Sequence, residues 1–226
     1  MRLNGYLHVA CMNHWQEVLV ELVSAIVNSR LYERAARIYV SANGRPEHTD
    51  FVRAYVSYWK KFELAVPSES LSECEWPAIQ AIFDRRYECD ACFYLHTKGV
   101  SHDRDYYKDT WRRFMLYYMT ARHEELLAGL VEHQVAGVAW FGNHFHGNYF
   151  YSTADYIKTL DNPSLWRDRR NQHLQAQLKS RYPWAYDWSA DSLRLLCEVW
   201  IGHGNPRALD LHPVTGSLEN QAIHVP

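Results

Sequence analysis

The spacing of apolar positions predicts that strands and helices alternate from the start of the chain. Residues 6–12 form an apolar, β-branched run that predicts a strand. Between Trp15 and Ile26 apolar residues recur at i, i+3 and i+4, which predicts a helix that buries one face. Residues 37–42 predict a second strand, which ends at an Asn-Gly turn. The three elements predict a β-α-β unit with parallel strands and a right-handed crossover.

The same pattern continues through the rest of the chain. Helices are expected over residues 50–60, 75–87, 170–179 and 191–200, and over a segment that ends near residue 160. Residues 106–131 are expected to form either two helices or one bent helix. Further strands are expected over residues 62–66, 92–95 and 135–141. Residues 92–95 are continuously apolar, which is typical of a strand buried on both faces of a parallel sheet.

These elements predict the α/β class, with a mostly parallel, Rossmann-like central sheet flanked by helices. The 226 residues fit a single domain, which we place at residues 1–202. From residue 203 onward Gly, Pro and His dominate, so an irregular C-terminal tail or lid is expected over residues 203–226. A hydrophobic fraction of 47% is ample for a folded core.

Charge and cysteine content narrow the expected partners and location. The formal net charge of −2 provides no general attraction to nucleic acid, so no nucleic-acid partner is expected. Five cysteines without a disulfide-scaffold spacing favour a reducing, cytoplasmic location. Cys89 and Cys92 form a lone C-x-x-C, which we interpret as structural thiols. No apolar run is long enough to predict a secretion signal or a transmembrane segment.

A ligand site is expected beyond the carboxyl ends of the strands, near the point where strand order reverses. That rule selects five segments, at residues 12–14, 42–44, 67–68, 96–99 and 142–148. The chain has no G-x-G-x-x-G after its first strand, no P-loop and no G-x-S-x-G motif. These absences argue against a dinucleotide oxidoreductase, a P-loop NTPase and a serine hydrolase.

Two of these segments carry candidate binding groups. Asn13, with Gln16 three residues later, resembles a capping box, which would place Asn13 at the carboxyl end of the first strand. Residues 142–151 read GNHFHGNYFY and are dense in hydrogen-bonding groups. In that segment His144 and His146 could bind a metal or sugar hydroxyls. Because a typical zinc site uses three protein ligands, two histidines favour sugar contacts.

Three motifs in a fixed order carry a family resemblance. Residues 93–101 read FYLHTKGVS, residues 147–151 read GNYFY and are soon followed by ADYI, and residues 198–202 read EVWIG. From about Tyr6 to Gly202 the chain resembles small GT-A type glycosyltransferases of bacterial and viral polysaccharide synthesis. Members of that family read approximately YIHTKG, then H-x-SGN-FWW with a following DYI, then E-x-WI. The chain departs from this pattern at His146, where Ser is common.

The resemblance implies a GT-A-like fold and transfer of a hexose or deoxyhexose from a UDP- or dTDP-type donor to a saccharide acceptor, as in polysaccharide or glycan synthesis. Together with the strand-end rule it implies donor binding by Asn13, Asn43, His96, Thr97, Lys98 and Gly99. It likewise implies acceptor or sugar binding by His144, His146, Gly147, Asn148 and Trp200.

Inverting transfer needs a carboxylate to take the proton of the acceptor hydroxyl. Glu198 is the first candidate because its neighbours carry the family motif, and Asp155 is the second. Each has a structural alternative. Glu198 could pair with Arg194 on a helix face, and Asp155 could stabilise the helix start after Ser152.

One departure from the wider GT-A class bears on metal use. Such enzymes usually have Asp-x-Asp at the place where this chain reads His96-Thr97-Lys98. Hard cations prefer oxygen ligands, so these residues predict a poor metal site, although His96 is a possible ligand. A lysine ammonium can bind phosphate itself. We therefore expect Lys98 to stabilise the leaving diphosphate, with Mn²⁺ or Mg²⁺ possible but not required.

Two functions from other classes remain open at this point. A non-catalytic carbohydrate- or nucleotide-binding module would also use aromatic rings and amides, without a base. A metal-dependent hydrolase could be built on His96, His144 and His146. The residues do not distinguish among donor sugars, acceptors or oligomeric states, nor between inversion and retention.

Overall fold

The computed structural model describes residues 1–101, 103–181 and 196–213. Within these residues seven strands form one sheet. They are β1 (Leu3–Ala10), β2 (Ala35–Asn43), β3 (Phe62–Ser68), β4 (Ala91–His96), β5 (Val135–Gly137), β6 (Phe150–Thr153) and β7 (Ala208–Asp210). Their order across the sheet is β3-β2-β1-β4-β6-β5-β7.

Eight α-helices connect and cover these strands in the described part of the chain. They are α1 (Trp15–Asn28), α2 (Leu31–Arg34), α3 (Pro46–Val56), α4 (Trp76–Asp84), α5 (Tyr106–Ala121), α6 (His123–Gly129), α7 (Ala154–Thr159) and α8 (Pro163–Arg181). Residues 196–199 are also helical. The apolar repeat predicted the start of α1 correctly, and the long apolar segment after residue 106 forms two helices rather than one.

The sheet is mixed but mostly parallel. β1 pairs in parallel with β2 and with β4, β2 pairs in parallel with β3, and β5 pairs in parallel with β7. β6 runs antiparallel to both of its neighbours, β4 and β5. The predicted class is therefore confirmed, as a single α/β domain whose mostly parallel central sheet is flanked by helices.

The alternation of side chains along β1 divides the core into two layers. Leu3, Leu7 and Val9 are fully buried in the cluster that contains the apolar faces of α1 and α5. Tyr6 points to the other side, into the cluster formed with α4 and α7. This second layer carries more polar groups, because His8 of β1 lies beside His96 of β4 on the same side. The polar side chains of the central strands are thus gathered on one face.

Strand order reverses at β1. β2 and β3 extend the sheet on one side of β1, whereas β4 and β6 extend it on the other. The segments after Ala10 and after His96 therefore leave the sheet side by side, at the edge where a ligand crevice is expected.

Several predicted elements differ from the structure. No strand was predicted where β6 lies, and β5 ends at Gly137 instead of residue 141. Residues 208–210 form β7, so the irregular tail predicted from 203 includes a strand. The Asp210 carboxylate also accepts hydrogen bonds from the backbone amides of Ala139 and Trp140, at 2.9 and 2.7 Å. Contacts distant in sequence thus create these elements. Residues 191–195 of the predicted helix and 214–226 of the tail lie outside the described residues.

Candidate functional site

A cavity of about 430 Å³ opens at the carboxyl ends of β1 and β4, where the strand order predicts a ligand site. Its lining comes from five parts of the chain: the end of β1, the segment before α4, the loop after β4, the first turns of α5, and two residues from later segments. The lining residues are His8, Ala10, Met12, Leu71, Cys74, Glu75, His96, Thr97, Lys98, Gly99, Val100, Ser101, Asp105, Tyr107, Lys108, Trp111, His146 and Glu198.

His96 ends β4 and forms part of the cavity wall. Its Nε2 lies 2.7 Å from the carbonyl oxygen of Gly147. Because a carbonyl only accepts, Nε2 carries the ring proton. Burial, together with the positive charge of Lys98, lowers the pKa of His96 to about 3. The ring is therefore neutral near pH 7, and it stacks on Tyr94 and meets the edge of Tyr149.

His8 is the partner of His96 on β1 and is also neutral. Its Nδ1 lies 2.9 Å from Oγ of Ser41, on β2. Burial lowers the pKa of His8 to about 4, against the opposing effect of the Glu75 carboxylate. The floor of the cavity is thus polar but carries no positive charge from its histidines at neutral pH.

Glu75 is a site residue that the sequence did not reveal. Its buried carboxylate accepts hydrogen bonds from Tyr94 Oη at 2.8 Å and from Asn148 Nδ2 at 2.6 Å. The other carboxylate oxygen lies 3.7 Å from Nδ1 of His96. No motif marks this position. The one signal in the sequence is that Glu75 is the first residue of a predicted helix. Asn148, predicted to bind the acceptor, instead holds Glu75 in place.

The loop after β4 is held by contacts to β1 and α5. Thr97 Oγ1 accepts a hydrogen bond from the Ala10 amide at 2.9 Å, and the Thr97 amide donates to the His8 carbonyl at 3.0 Å. Arg112 of α5 donates to the Lys98 carbonyl at 3.3 Å. The backbone that carries Lys98 is therefore fixed on both sides.

Lys98 and Glu198 are brought together as an ion pair. Nζ of Lys98 lies 3.5 Å from Oε1 of Glu198, and their side chains are 27% and 17% exposed. The predicted phosphate-binding cation and the predicted base therefore share one wall of the cavity. Arg194, the alternative partner of Glu198, lies outside the described residues.

Asn13 has a different role from the one predicted. His14 is the N-terminal capping position of α1, without a side-chain cap, so the capping box at Asn13 is wrong. Nδ2 of Asn13 instead donates to the Val100 carbonyl at 2.8 Å and ties the loop after β1 to the loop after β4. Gly99 in that second loop has a φ of +90°, which favours glycine.

The loop before β6 contributes its histidines unequally. His146 lines the cavity and lies edge-on to Trp111, with ring centres 5.3 Å apart. Burial, together with the positive charge of Lys98, lowers the pKa of His146 to about 4. Burial also lowers the pKa of His144; the Glu198 carboxylate opposes this shift and the Lys98 ammonium adds to it. The His144 side chain does not line the cavity. Gly147 has a φ of +84°, and an added Cβ there would lie 2.6 Å from Sδ of Met115.

Two residues predicted to bind ligand lie in the protein interior instead. Asn43 is buried and donates to the Cys74 carbonyl at 2.7 Å, so it supports the segment before α4. Trp200 is fully buried, and its Nε1 donates to the Asp161 carbonyl at 3.2 Å. Neither lines the cavity.

Asp155, the second candidate base, lies at the opposite edge of the sheet. Because β6 is antiparallel, its last residue Thr153 pairs with Ala91, the first residue of β4. Asp155 follows immediately, is 93% exposed and pairs with Lys158 at 2.9 Å. Its position does not support a catalytic role.

The residues at the end of β4 do not fit a divalent cation. His96 uses Nε2 on a backbone carbonyl, and Lys98 places an ammonium where an oxygen ligand would be needed. Within residues 1–101, 103–181 and 196–213, no three His, Cys, Asp or Glu side chains are grouped to hold a metal ion.

Comparisons with known proteins give one matching family and 18 matching chains among solved structures. The model of a family described as "Domain of unknown function (DUF8361)" matches residues 26–215. No curated protein gives a significant match. A crystal structure named "putative nucleotide-diphospho-sugar transferase", from Desulfovibrio desulfuricans G20, has 11% identity and a TM-score of 0.43, with 94% of this chain and 81% of that chain covered.

A second structure is that of the Mycobacterium tuberculosis rv0371c homolog from Mycobacterium sp. strain JC1. It has 11% identity and a TM-score of 0.40, with 74% of this chain and 80% of that chain covered. Among the helices in the described ranges, none has both the length and the apolar character needed to cross a membrane.

The buried histidines of the two central strands, His8 and His96, predict a pH-dependent stability. An unfolded histidine takes up a proton near pH 6.5, whereas His8 and His96 do so only near pH 4 and 3 in the folded chain. Below about pH 6.5 the unfolded state therefore binds more protons. The free energy of unfolding should fall as the pH is lowered from 7 to 5, with a slope of up to about 1.4 kcal/mol per pH unit for each histidine.

Urea denaturation at several pH values measures this slope. The His96→Gln variant should show a shallower slope than the native chain. The same slope in both proteins would contradict the assignment of a neutral, buried His96.

Proposed function

The chain belongs to the family described as Domain of unknown function (DUF8361), and we propose that it is a glycosyltransferase that moves a hexose or deoxyhexose from a UDP- or dTDP-type donor to a saccharide acceptor. The observation that carries this proposal is the Lys98–Glu198 ion pair in the cavity at the end of β4. It places a phosphate-binding cation beside a carboxylate that can act as a base.

The cavity suits a donor diphosphate in size and offers it two lysines. Its volume lies within the roughly 300–1,000 Å³ of typical small-molecule sites. Lys98 and Lys108 both line it, each beside a carboxylate: Glu198 lies 3.5 Å from Lys98, and Asp105 lies 3.7 Å from Lys108. A diphosphate would bind these lysines by taking the place of the carboxylates. These features support binding of the diphosphate between the loop after β4 and the start of α5.

The ion pair also suggests how donor binding prepares the base. A diphosphate that binds to Lys98 competes with Glu198 for the ammonium and leaves the carboxylate available. The acceptor oxygen then attacks the anomeric carbon, and the bond from that carbon to the diphosphate oxygen breaks. Glu198 takes the proton of the acceptor hydroxyl, while the bonding electrons leave with the diphosphate and Lys98 stabilises its charge.

Other residues of the lining offer surfaces for the sugars. Trp111 and Tyr107 present aromatic rings to the cavity, and flat rings with polar tips suit the faces of a sugar. His146 is neutral near pH 7, so it can donate and accept hydrogen bonds to hydroxyl groups. These residues support a saccharide acceptor, as expected for polysaccharide or glycan synthesis.

Replacement of Glu198 by Gln tests the base. The Glu198→Gln variant should transfer sugar at least about 100-fold more slowly, because the amide cannot take the acceptor proton, and should still bind the donor. Release of UDP or dTDP from the nucleotide sugar, with and without oligosaccharide acceptors, measures turnover. Asp155→Asn is the matched control and should have native activity. A native chain that binds donor but never releases nucleoside diphosphate would favour a binding module.

Replacement of Lys98 by Ala tests the phosphate-binding cation. Loss of a charge-assisted hydrogen bond of about 1.5–3 kcal/mol should weaken binding of UDP or dTDP by roughly 10- to 150-fold in titration calorimetry. Lys158→Ala removes a lysine of the exposed pair at the other sheet edge and should leave affinity unchanged. Native affinity of the Lys98→Ala variant would contradict the role of Lys98.

The same proposal predicts the response to a chelator. If the Lys98 ammonium takes the place of a divalent metal ion at the diphosphate, sugar transfer should retain its full rate in excess EDTA. Loss of turnover in EDTA, with recovery on addition of Mn²⁺, would contradict this.

A further inference from the structure

The carboxylate of Glu75 is buried in the cavity wall in a way that its helix does not require. Glu75 precedes α4 at the capping position, but its side chain makes no capping hydrogen bond to that helix. It turns instead toward the sheet, where both hydrogen bonds that it accepts, from Tyr94 and Asn148, fall on Oε2. One oxygen of the carboxylate is therefore fixed by β4 and by the turn before β6.

The other oxygen, Oε1, keeps its capacity to accept a hydrogen bond. Among the described residues, the two side chains that donate to the Glu75 carboxylate, Tyr94 and Asn148, both donate to Oε2 and not to Oε1. Its neighbour is Nδ1 of His96, at 3.7 Å, which is beyond hydrogen-bonding distance. Because Nε2 of the neutral His96 ring donates to Gly147, Nδ1 has no proton to give. Because Glu75 lines the cavity, this oxygen is placed to accept a hydrogen bond from a donor group of a ligand.

The charge of Glu75 identifies the part of the ligand that it suits. A carboxylate repels a phosphate, so the diphosphate is expected at Lys98 and a neutral hydroxyl at Glu75. The pKa of the Cys197 thiol is raised by burial and further by both Glu75 and Glu198. Glu75, Lys98 and Glu198 all line the same cavity. The transferred sugar is bonded to the diphosphate at Lys98, and its anomeric carbon meets the acceptor oxygen whose proton Glu198 takes. This sugar is therefore the neutral, hydroxyl-bearing part of the donor that is expected in the same cavity as Glu75.

On the basis of the proposed function, we propose that the Glu75 carboxylate accepts a hydrogen bond from a hydroxyl of the transferred hexose and thereby selects the donor sugar. Tyr94 and Asn148 position it, and the hydroxyl completes the set of hydrogen bonds on the carboxylate. Glu75 then contributes to binding of the sugar but not to binding of the nucleotide.

The Glu75→Gln variant tests this selectively. Glutamine keeps the size of the side chain, and its amide oxygen can still accept from Tyr94 and Asn148. Its NH₂ group then replaces an acceptor with a donor on the cavity side. Calorimetric titration with UDP-glucose, UDP-galactose and dTDP-rhamnose measures the affinity for the nucleotide sugar. Titration with UDP and dTDP alone measures the affinity for the nucleotide. We expect binding of the preferred nucleotide sugar to weaken at least about tenfold and binding of UDP or dTDP to stay unchanged.

The matched control is Asp84→Asn, at the far end of α4, where the exposed carboxylate accepts from Gln80. It should bind both kinds of ligand with native affinity. A second measurement uses the native chain with donors that lack one hexose hydroxyl each, so that it does not depend on folding of the Glu75 variant. The affinity of the native chain for one of these donors should be lower by about the same factor as the Glu75→Gln substitution lowers the affinity for the complete nucleotide sugar.

The outcomes separate this inference from the proposed function. Equal weakening of nucleotide and nucleotide-sugar binding by Glu75→Gln, or no weakening, would overturn the inference and leave the function standing. The inference is likewise overturned, and the function left standing, if the native chain binds UDP or dTDP and binds none of the three nucleotide sugars more tightly than the nucleotide alone. A native chain that binds neither nucleotides nor nucleotide sugars would overturn both.

Discussion

The attraction between the Lys98 ammonium and the Glu198 carboxylate is the interaction on which the site depends. The two groups lie 3.5 Å apart in a partly closed cavity, where each is the other's charged partner. Removal of either would leave an uncompensated charge away from bulk water, which is costly. A ligand can replace one partner only if it brings a charge of the same sign, and a diphosphate does so for Glu198. In the proposed function the pair therefore links binding of an anion to release of the Glu198 carboxylate.

The sheet supplies the rigid frame for that pair. Because β1 is flanked by parallel strands on both sides, the segments after β1 and β4 leave the sheet side by side at the strand ends where the cavity opens. The side chains of Thr97 and Asn13 then tie these two segments together through hydrogen bonds to backbone groups. On the face toward α4 the two central strands place neutral His8 and His96 beneath the cavity. The resulting wall is polar and well ordered, and its net charge comes from carboxylates and lysines rather than histidines.

Sequence patterns could predict the parts of this structure that depend on local periodicity. The apolar repeat of α1 and the continuous apolar run of β4 gave the sheet class and the location of the cavity. Patterns failed where distant contacts decide. β7 exists because three residues pair with β5, and the antiparallel direction of β6 places Asp155 at the wrong edge for catalysis. Glu75 becomes a site residue only because Tyr94 and Asn148 meet at its carboxylate. Lys98 and Glu198, in contrast, were found from their motifs.

The most direct measurement of the central claim is a crystal structure of the chain with UDP or dTDP bound. The account predicts that the diphosphate lies at the end of β4 within hydrogen-bonding distance of the Lys98 ammonium, and that Glu198 has moved away from this lysine. A nucleotide bound elsewhere, or a diphosphate at the strand end with the Lys98–Glu198 pair still intact, would contradict it.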